Sequence, residues 1–269
     1  MTIIEDNPYT SAEFVAALKS KSYFSATQII PIILEIIKPK TVVDVGCGIG
    51  SWLKVFSDLN NCSILGIDGD YVDREQLLIS PSSFFGTDLR DALDVKTILQ
   101  KNNSQKFDLL ISLEVVEHLP KERGASFVKD LTNLSDIILF SGAVPGMGGT
   151  EHINEQEIKH WVSLFEEFGY TPISCVRTYF KNSLKSRQDF SRIDCYAHNA
   201  VLYVKSERLY ELNISKDMYL DDFEIWPMMK MRIKDNQKWI HWDNFKEQHG
   251  FFFNNVFIKK IMQYYHRGF

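Results

Sequence analysis

Cysteine is scarce in this 269-residue chain: Cys47, Cys62, Cys175 and Cys195 are widely scattered and show neither a CxxC spacing nor a cluster with histidine. That argues against a disulfide framework or a structural zinc and points to a reducing compartment. Long hydrophobic runs are missing as well. The longest, Ile29–Ile37, is broken by Pro31 and Glu35 and falls short of the about 20 apolar residues that a spanning helix needs. Met1 to Pro8 lack a basic start followed by an apolar core, so no export signal is expected there and the expected location is cytoplasmic. Positive charge is not in excess either. Thirty Lys and Arg against 35 Asp and Glu give a net charge of −5, which speaks against a chain whose main work is gripping nucleic-acid phosphates. There is no internal repeat or low-complexity tract, and 45% hydrophobic with 24% charged residues excludes a fibrous or disordered chain.

What is present is an alternation of strands and helices. Residues 1–40 read as a helical cap, with Phe14, Val15 and Leu18 on one face after Ser11 and a second apolar segment from Ala26 to Pro39. Thr41–Val45 is a β-branched run ending on Gly46-Cys-Gly-Ile-Gly50, after which helical spacing resumes at Leu53, Phe56 and Leu59. Strand, glycine turn and helix in that order open a βαβ unit. Further strands are predicted at 63–67, 83–88, 107–111 and 136–140. A helix is predicted from Asp73 to Pro81, and another carries Phe127, Val128, Leu131 and Leu134. The clearest helix has Ile158, Trp161, Val162, Phe165 and Phe168 in one stripe, Asn154 as its cap and Gly169 as its stop. Two last strand-like runs, 172–179 and 200–205, show no helical pattern between them and read as an antiparallel edge hairpin. Such alternation with buried β-branched strands implies a mostly parallel sheet covered on both faces, over 41–205. From 206 onward the pattern is lost. That extension is rich in aromatics, and its rings need cover on the core or on a second copy, a homodimer.

The glycines lie where open α/β sheets bind ligands, at the carboxyl end of a first strand. Two features set them apart from a nicotinamide loop: Ser51 stands where the third glycine of GxGxxG would fall, and Asp44 puts a fixed negative charge just before the turn. A pyrophosphate gains nothing from that charge, whereas a cationic ligand does. Asp68, about 20 residues further on, can accept two ribose hydroxyls. Asp88, at the end of the third strand, can take an adenine amino group. Together these point to an adenosine with a positively charged tail.

With these features the chain resembles the class I S-adenosylmethionine-dependent methyltransferases, and more narrowly their ubiquinone-type branch. The matching stretches are Val43–Gly50, Gly66–Asp70, Gly86–Leu89, Phe107–Pro120, and Phe140–Gly149 with His152–Gln156. The last of these resembles a bacterial subgroup often met beside glycosyltransferases. The resemblance covers roughly 41–205 and says little of 1–40 or 206–269. It implies a Rossmann-like three-layer α/β sandwich with a seven-stranded sheet in the order 3-2-1-4-5-7-6. It implies S-adenosylmethionine as cofactor, with S-adenosylhomocysteine as product. By the same resemblance, Gly46, Cys47, Gly48 and Gly50 hold the methionine part, with Asp44 near its ammonium. Asp68 takes the ribose, Gly69 and Asp70 border the adenine, and Asp88 with Leu89 hold its far edge. Ser112, Leu113 and Glu114 floor the site near the sulfonium.

A hydroxyl acceptor gains from a base as it attacks, while an amine needs only to arrive neutral. His152, on the ligand rim after the Pro145–Gly149 loop, is the leading base. The other reading makes it a loop residue ordering its neighbours. His118 beside Glu117 is second, with a packing role as the alternative; Glu117 could equally be a helix-start carboxylate. His160 reads as structural, and His241 and His249 have no assignable partner. Trp52, Tyr23 and Phe24 read either as pocket or lid residues or as core. No metal-ligand spacing is visible, so no metal is expected. The expected reaction is O-methylation of a small-molecule or glycan hydroxyl. Two alternatives are an N-methyltransferase acting on an amine or protein, and a non-catalytic cofactor-binding module. A dinucleotide oxidoreductase is disfavoured by Ser51 and Asp44.

Overall fold

The computed structural model describes residues 18–183, 195–219 and 223–224. Seven strands form one sheet: β1 (Thr41–Val45), β2 (Ser63–Asp68), β3 (Phe84–Gly86), β4 (Leu109–Leu113), β5 (Ile137–Ser141), β6 (Tyr170–Ile173) and β7 (Val201–Lys205), in the order β3-β2-β1-β4-β5-β7-β6. The first five strands run parallel to one another; β7 runs antiparallel to both β5 and β6. Order and orientation agree with the expected Rossmann-like methyltransferase sheet.

Side chains alternate between the two faces with the period of the pleat. Val42, Leu109, Ile111, Ile137, Leu139, Leu202 and Val204 face one apolar core; Val43, Val45, Leu110, Ile138, Phe140 and Tyr203 face the other. The first core is covered by α1 (Tyr23–Ile36), α2 (Ser51–Asn60) and α6 (Cys175–Ser183), with α1 packed on both α2 and α6. The second is covered by α3 (Val95–Gln100), α4 (Arg123–Leu134) and α5 (Ile158–Glu167). Helix α1 buries Ala26, Ile29, Ile30, Ile32, Ile33, Leu34 and Ile36, keeps Pro31 on its solvent side, and shares one core with the sheet. A helix apolar almost all round is a core helix. No described helix is long and apolar enough to cross a membrane. All four cysteines are free thiols.

Several local expectations are corrected. The stretch 73–81 is not an α-helix but two short 3-10 turns, Arg74–Gln76 and Pro81–Ser83, the first capped by the Asp73 carboxylate accepting from the Glu75 amide. Helix α3, capped by Asp94, was not foreseen. The run 172–179 is strand only as far as Ile173. From Cys175 it is helix α6, so β6 and β7 pair antiparallel without forming a simple hairpin. Helix α5 starts at Ile158, and Asn154 does not cap it; its side-chain amide donates instead to the Val116 carbonyl at 3.3 Å. Leu59 in α2 is exposed rather than buried. In α4, Phe127, Val128, Leu131 and Leu134 are all fully buried as their spacing predicts, and Gly169 (φ +75°) ends α5. The first N-terminal helix, the aromatics beyond 224, His241 and His249 lie outside the described residues.

Candidate functional site

The carboxyl ends of β1, β2 and β4 meet because these strands are neighbours. Asp44 sits opposite Gly66 on one side and Ile111 on the other, on the α1/α2 face of the sheet. It is 3% exposed, and its Oδ2 has no hydrogen-bond partner among the described residues. Burial, and then the charge of Asp68, push its carboxyl well above the usual range. Such a group is costly to keep ionised unless a cation or donor meets it.

The turn after β1 is built from glycines for a definite reason. Gly46 has φ +89°, and a Cβ there would lie 2.3 Å from Val115 Cγ2. Its amide and that of Cys47 both donate to the Ile67 carbonyl at the end of β2. Gly46→Ala therefore combines a left-handed backbone with overlap against a stiff β-branched side chain, together about 2–4 kcal/mol. We expect the melting temperature to fall by roughly 5–10 °C. An unchanged melting curve would mean the turn relaxes freely.

Asp68, 4% exposed, closes this turn. Its Oδ2 accepts from the Gly48 amide at 2.6 Å; its Oδ1 accepts from the Gly69 amide at 2.7 Å and from the Tyr71 hydroxyl at 2.6 Å. Burial still lifts its carboxyl above the usual value against the pull of these bonds. Cys47 is buried beside it, its thiol pushed up by burial and then by the charges of Asp68 and Asp44.

Asp70 and Asp88 are placed differently from these buried carboxylates. Asp70 pairs with Arg74 at 2.7 Å. Asp88 lies two residues past the end of β3, where both oxygens are gripped by Arg90, whose guanidinium holds the carboxyl below its usual value. Exposed pairs of this kind are worth about 0–1 kcal/mol, so a ligand could exchange either arginine cheaply. Leu89 is buried, and its carbonyl accepts from Arg123 Nε.

Beyond β4, Ser112 and Leu113 are buried and Glu114 adopts φ +55°, a strained value for a residue with a side chain. The strain is held by the Glu114 amide donating to Ser141 Oγ at 3.0 Å and by Asn199 Nδ2 donating to Glu114 Oε1 at 3.1 Å. Ser141 and Asn199 were not foreseen; their part in the site comes from the β4–β5 pairing and from a segment distant in sequence. Trp52 is core, its ring edge-on to Tyr196 with centroids 5.2 Å apart, and Tyr23 and Phe24 pack on the same core at the start of α1.

The three acid–base candidates come together. Glu117 and His118 lie in a 3-10 turn, Val116–His118, after β4. The segment 150–156 folds onto that turn, with the Ile153 and Asn154 amides both donating to the Glu117 carbonyl at 2.9 and 3.0 Å. The His118 and His152 rings meet edge to face with centroids 4.9 Å apart. Burial, and then the facing His152, bring His118 down to about 4. Glu117 is fully buried, and neither carboxylate oxygen has a donor in hydrogen-bond geometry among the described residues. Burial, then Glu114, push its carboxyl well up, and the amides of Glu117 and Ala143 offset only part of this. Glu155 completes the group: it accepts from the Gly146 and Gly148 amides at 2.7 Å each and from His152 Nδ1 at 2.9 Å. A carboxylate on Nδ1 fixes that nitrogen as the donor and leaves the lone pair on Nε2. Glu155 went unassigned in the sequence although it stands three residues from His152. His160 is exposed and rests against Trp161, away from this group.

Comparison with known proteins bears on the same segment. Residues 21–134 match the family described as a methyltransferase domain. Among solved structures, magnesium protoporphyrin IX methyltransferase from Synechocystis PCC 6803 with bound S-adenosylhomocysteine is 16% identical over 58% of this chain and 77% of that one, with a TM-score of 0.41. An O-methyltransferase family protein from Burkholderia thailandensis is 10% identical over 73% of this chain and 60% of that one, with a TM-score of 0.49. Human N-acetylserotonin methyltransferase in complex with S-adenosylmethionine is 15% identical over 73% and 54%, with a TM-score of 0.44.

Proposed function

We propose that this chain, a methyltransferase that uses S-adenosylmethionine, places the methyl group on a hydroxyl oxygen of a small-molecule or glycan acceptor. The observation that carries the hydroxyl reading is the group formed by buried Glu117 and half-buried His118 and His152, with His152 oriented by Glu155, at the carboxyl rim of β4 and β5. An amine acceptor has no need of such a group, whereas a hydroxyl must lose a proton as its oxygen attacks.

The residues at the other end of the site fit the cofactor. Asp44, a buried carboxylate with an unmatched oxygen, suits an ammonium group, and the turn at 46–50, left-handed at Gly46, Gly48 and Gly50, carries the backbone round the carboxyl end of β1 where the methionine portion would lie. When bound, the sulfonium supplies an electrophilic methyl group. Asp68 then accepts the ribose hydroxyls, its second oxygen having lone-pair capacity to spare and Tyr71 being an exchangeable partner. Gly69, Asp70, Asp88 and Leu89 border the adenine. Ser112, Leu113 and Glu114 form the floor, where the strained Glu114 backbone fixes the spacing between cofactor and acceptor.

Alignment of acceptor and methyl can account for roughly 7–11 kcal/mol of the barrier, and most of this rests on the rigid strand ends. The acceptor oxygen loses its proton at the Glu117–His118–His152 group as the new C–O bond forms. The pair of the breaking S–CH3 bond returns to sulfur, giving a methyl ether and S-adenosylhomocysteine. His152→Ala is expected to lower turnover at least about 100-fold, with cofactor affinity changed less than twofold. The measurement is S-adenosylhomocysteine release with acceptors drawn from a panel of glycosides and phenols that the parent turns over. Equal turnover by parent and variant would remove His152 from proton transfer, and a parent that releases S-adenosylhomocysteine with amines but with none of these hydroxyl acceptors would overturn the hydroxyl reading.

A further inference from the structure

We infer that Glu117, His118 and His152 form a binding site for a divalent first-row transition-metal ion, whose open positions take the acceptor oxygen. The inference rests on the hydroxyl reading above and says how the hydroxyl is activated. The ligand atoms of the three side chains all lie within 4.8 Å of one another. On one ion with bonds of about 2.1 Å, neighbouring ligand atoms lie about 3–3.5 Å apart, so the widest of these separations has to close by about 1–2 Å, within reach of side-chain rotation.

The second observation is Glu117 itself. It is 0% exposed, and both of its oxygens lack a hydrogen-bond partner among the described residues. A buried carboxylate is normally paired, hydrogen-bonded or bound to a metal. No lysine or arginine bonds to it among the described residues, and the neighbouring charges of Glu114 and Glu155 are also negative. Three carboxylates acting on one another favour a cation among them.

The histidines carry the outer contacts that metal-ligating imidazoles have. His152 donates its Nδ1 hydrogen to Glu155, and His118 hydrogen-bonds to the backbone at Thr150 and Glu151. The Glu155 contact orients the His152 ring and leaves its Nε2 for a metal, and the backbone contacts hold the His118 ring in place beside it. Two imidazoles with one carboxylate suit zinc, manganese or iron(II) better than magnesium, which prefers oxygen ligands throughout. Three protein ligands leave positions open, as at catalytic metal sites. A hydroxyl bound in one of them ionises more readily, and the proton it loses at this group then passes on to solvent instead of staying on His152, which serves as a ligand rather than as a free base.

The test uses the full chain, stripped with a chelator and titrated calorimetrically with zinc chloride, manganese chloride and magnesium chloride. Cofactor affinity is measured on the same samples. The expected result is one zinc or manganese ion per chain, bound more tightly than magnesium. Glu117→Gln and His152→Ala should each weaken that binding at least tenfold, and Glu155→Gln should weaken it by about 10–100-fold. Cobalt-loaded parent should show the visible absorption bands of a nitrogen-ligated ion, and His152→Ala should lose them. Absence of stoichiometric binding in a parent that still binds S-adenosylmethionine would overturn the metal site alone. So would binding that survives both Glu117→Gln and His152→Ala. Failure of the parent to bind S-adenosylmethionine would instead overturn the reading on which the site rests.

Discussion

Asp68→Ala is expected to weaken S-adenosylmethionine binding by at least about 100-fold in calorimetry. The magnitude follows from what the carboxylate does. It is 4% exposed, its oxygens accept the Gly48 and Gly69 amides and the Tyr71 hydroxyl, and it stands at the end of β2 facing the glycine turn. Hydrogen bonds to a charged group contribute about 1.5–3 kcal/mol each. Losing the two proposed ribose contacts should therefore cost about 3 kcal/mol or more, which is roughly 100-fold at about 1.4 kcal/mol per tenfold. Alanine also leaves the Gly48 amide without its acceptor, which loosens the turn proposed to hold the methionine portion. Asp68→Asn separates the two effects, because it keeps the shape and one acceptor oxygen; its affinity should fall about tenfold, between parent and alanine. Unchanged affinity in the alanine variant would mean that the ribose lies elsewhere.

The parts of this site that could be read from the sequence are those fixed by local chemistry. Val42 to Val45 is β-branched and alternates between two cores, and the glycines follow at once, so strand and turn are both written in a stretch of nine residues. The ends of β2 and β4 could be read in the same way. Features held by contacts between distant segments could not. Cys175 to Phe180 is rich in β-branched and aromatic residues and suits a strand by propensity. It is helical because Val176 and Phe180, four apart, pack with α1 in the shared core. Residues 73–81 carry apolar residues that bury without a helix: Ile79 packs so tightly on the glycine turn that a Cβ at Gly50 would lie 2.9 Å from it. Asn154 looks like a helix cap by its distance from Glu157, yet it clamps the 150–156 segment onto the turn carrying Glu117. The same clamp assembles the proposed metal site. Chain order separates His152 from Glu117 and His118, so no ligand spacing was visible and no metal was expected.

Asp44→Asn is expected to stabilise the free chain at neutral pH while weakening cofactor binding. Burial, followed by the charge of Asp68, raises the Asp44 carboxyl well above its unfolded value. A carboxyl raised in this way favours the folded state fully below its unfolded pKa, and that contribution is lost as pH rises through the folded pKa. At pH 7 and above the free chain therefore carries either an ionised carboxylate with an unmatched oxygen or a proton held against the solution. Asparagine keeps the shape and removes the charge, a gain of about 1–3 kcal/mol from one relieved buried group. Melting temperature should rise by roughly 3–8 °C at pH 8, and the gap should shrink toward zero as pH falls to about 4, where the aspartate is already neutral. S-adenosylmethionine reverses the order. With its ammonium on Asp44, as proposed, the parent should gain more stability from ligand than the variant does, and the variant's affinity should be at least about tenfold lower. Thermal scans from pH 4 to 8, with and without ligand, together with calorimetry read both effects. A variant that melts lower than the parent at pH 8 without ligand would show that Asp44 is structural and satisfied. One that binds S-adenosylmethionine as tightly as the parent would move the ammonium site away from the end of β1.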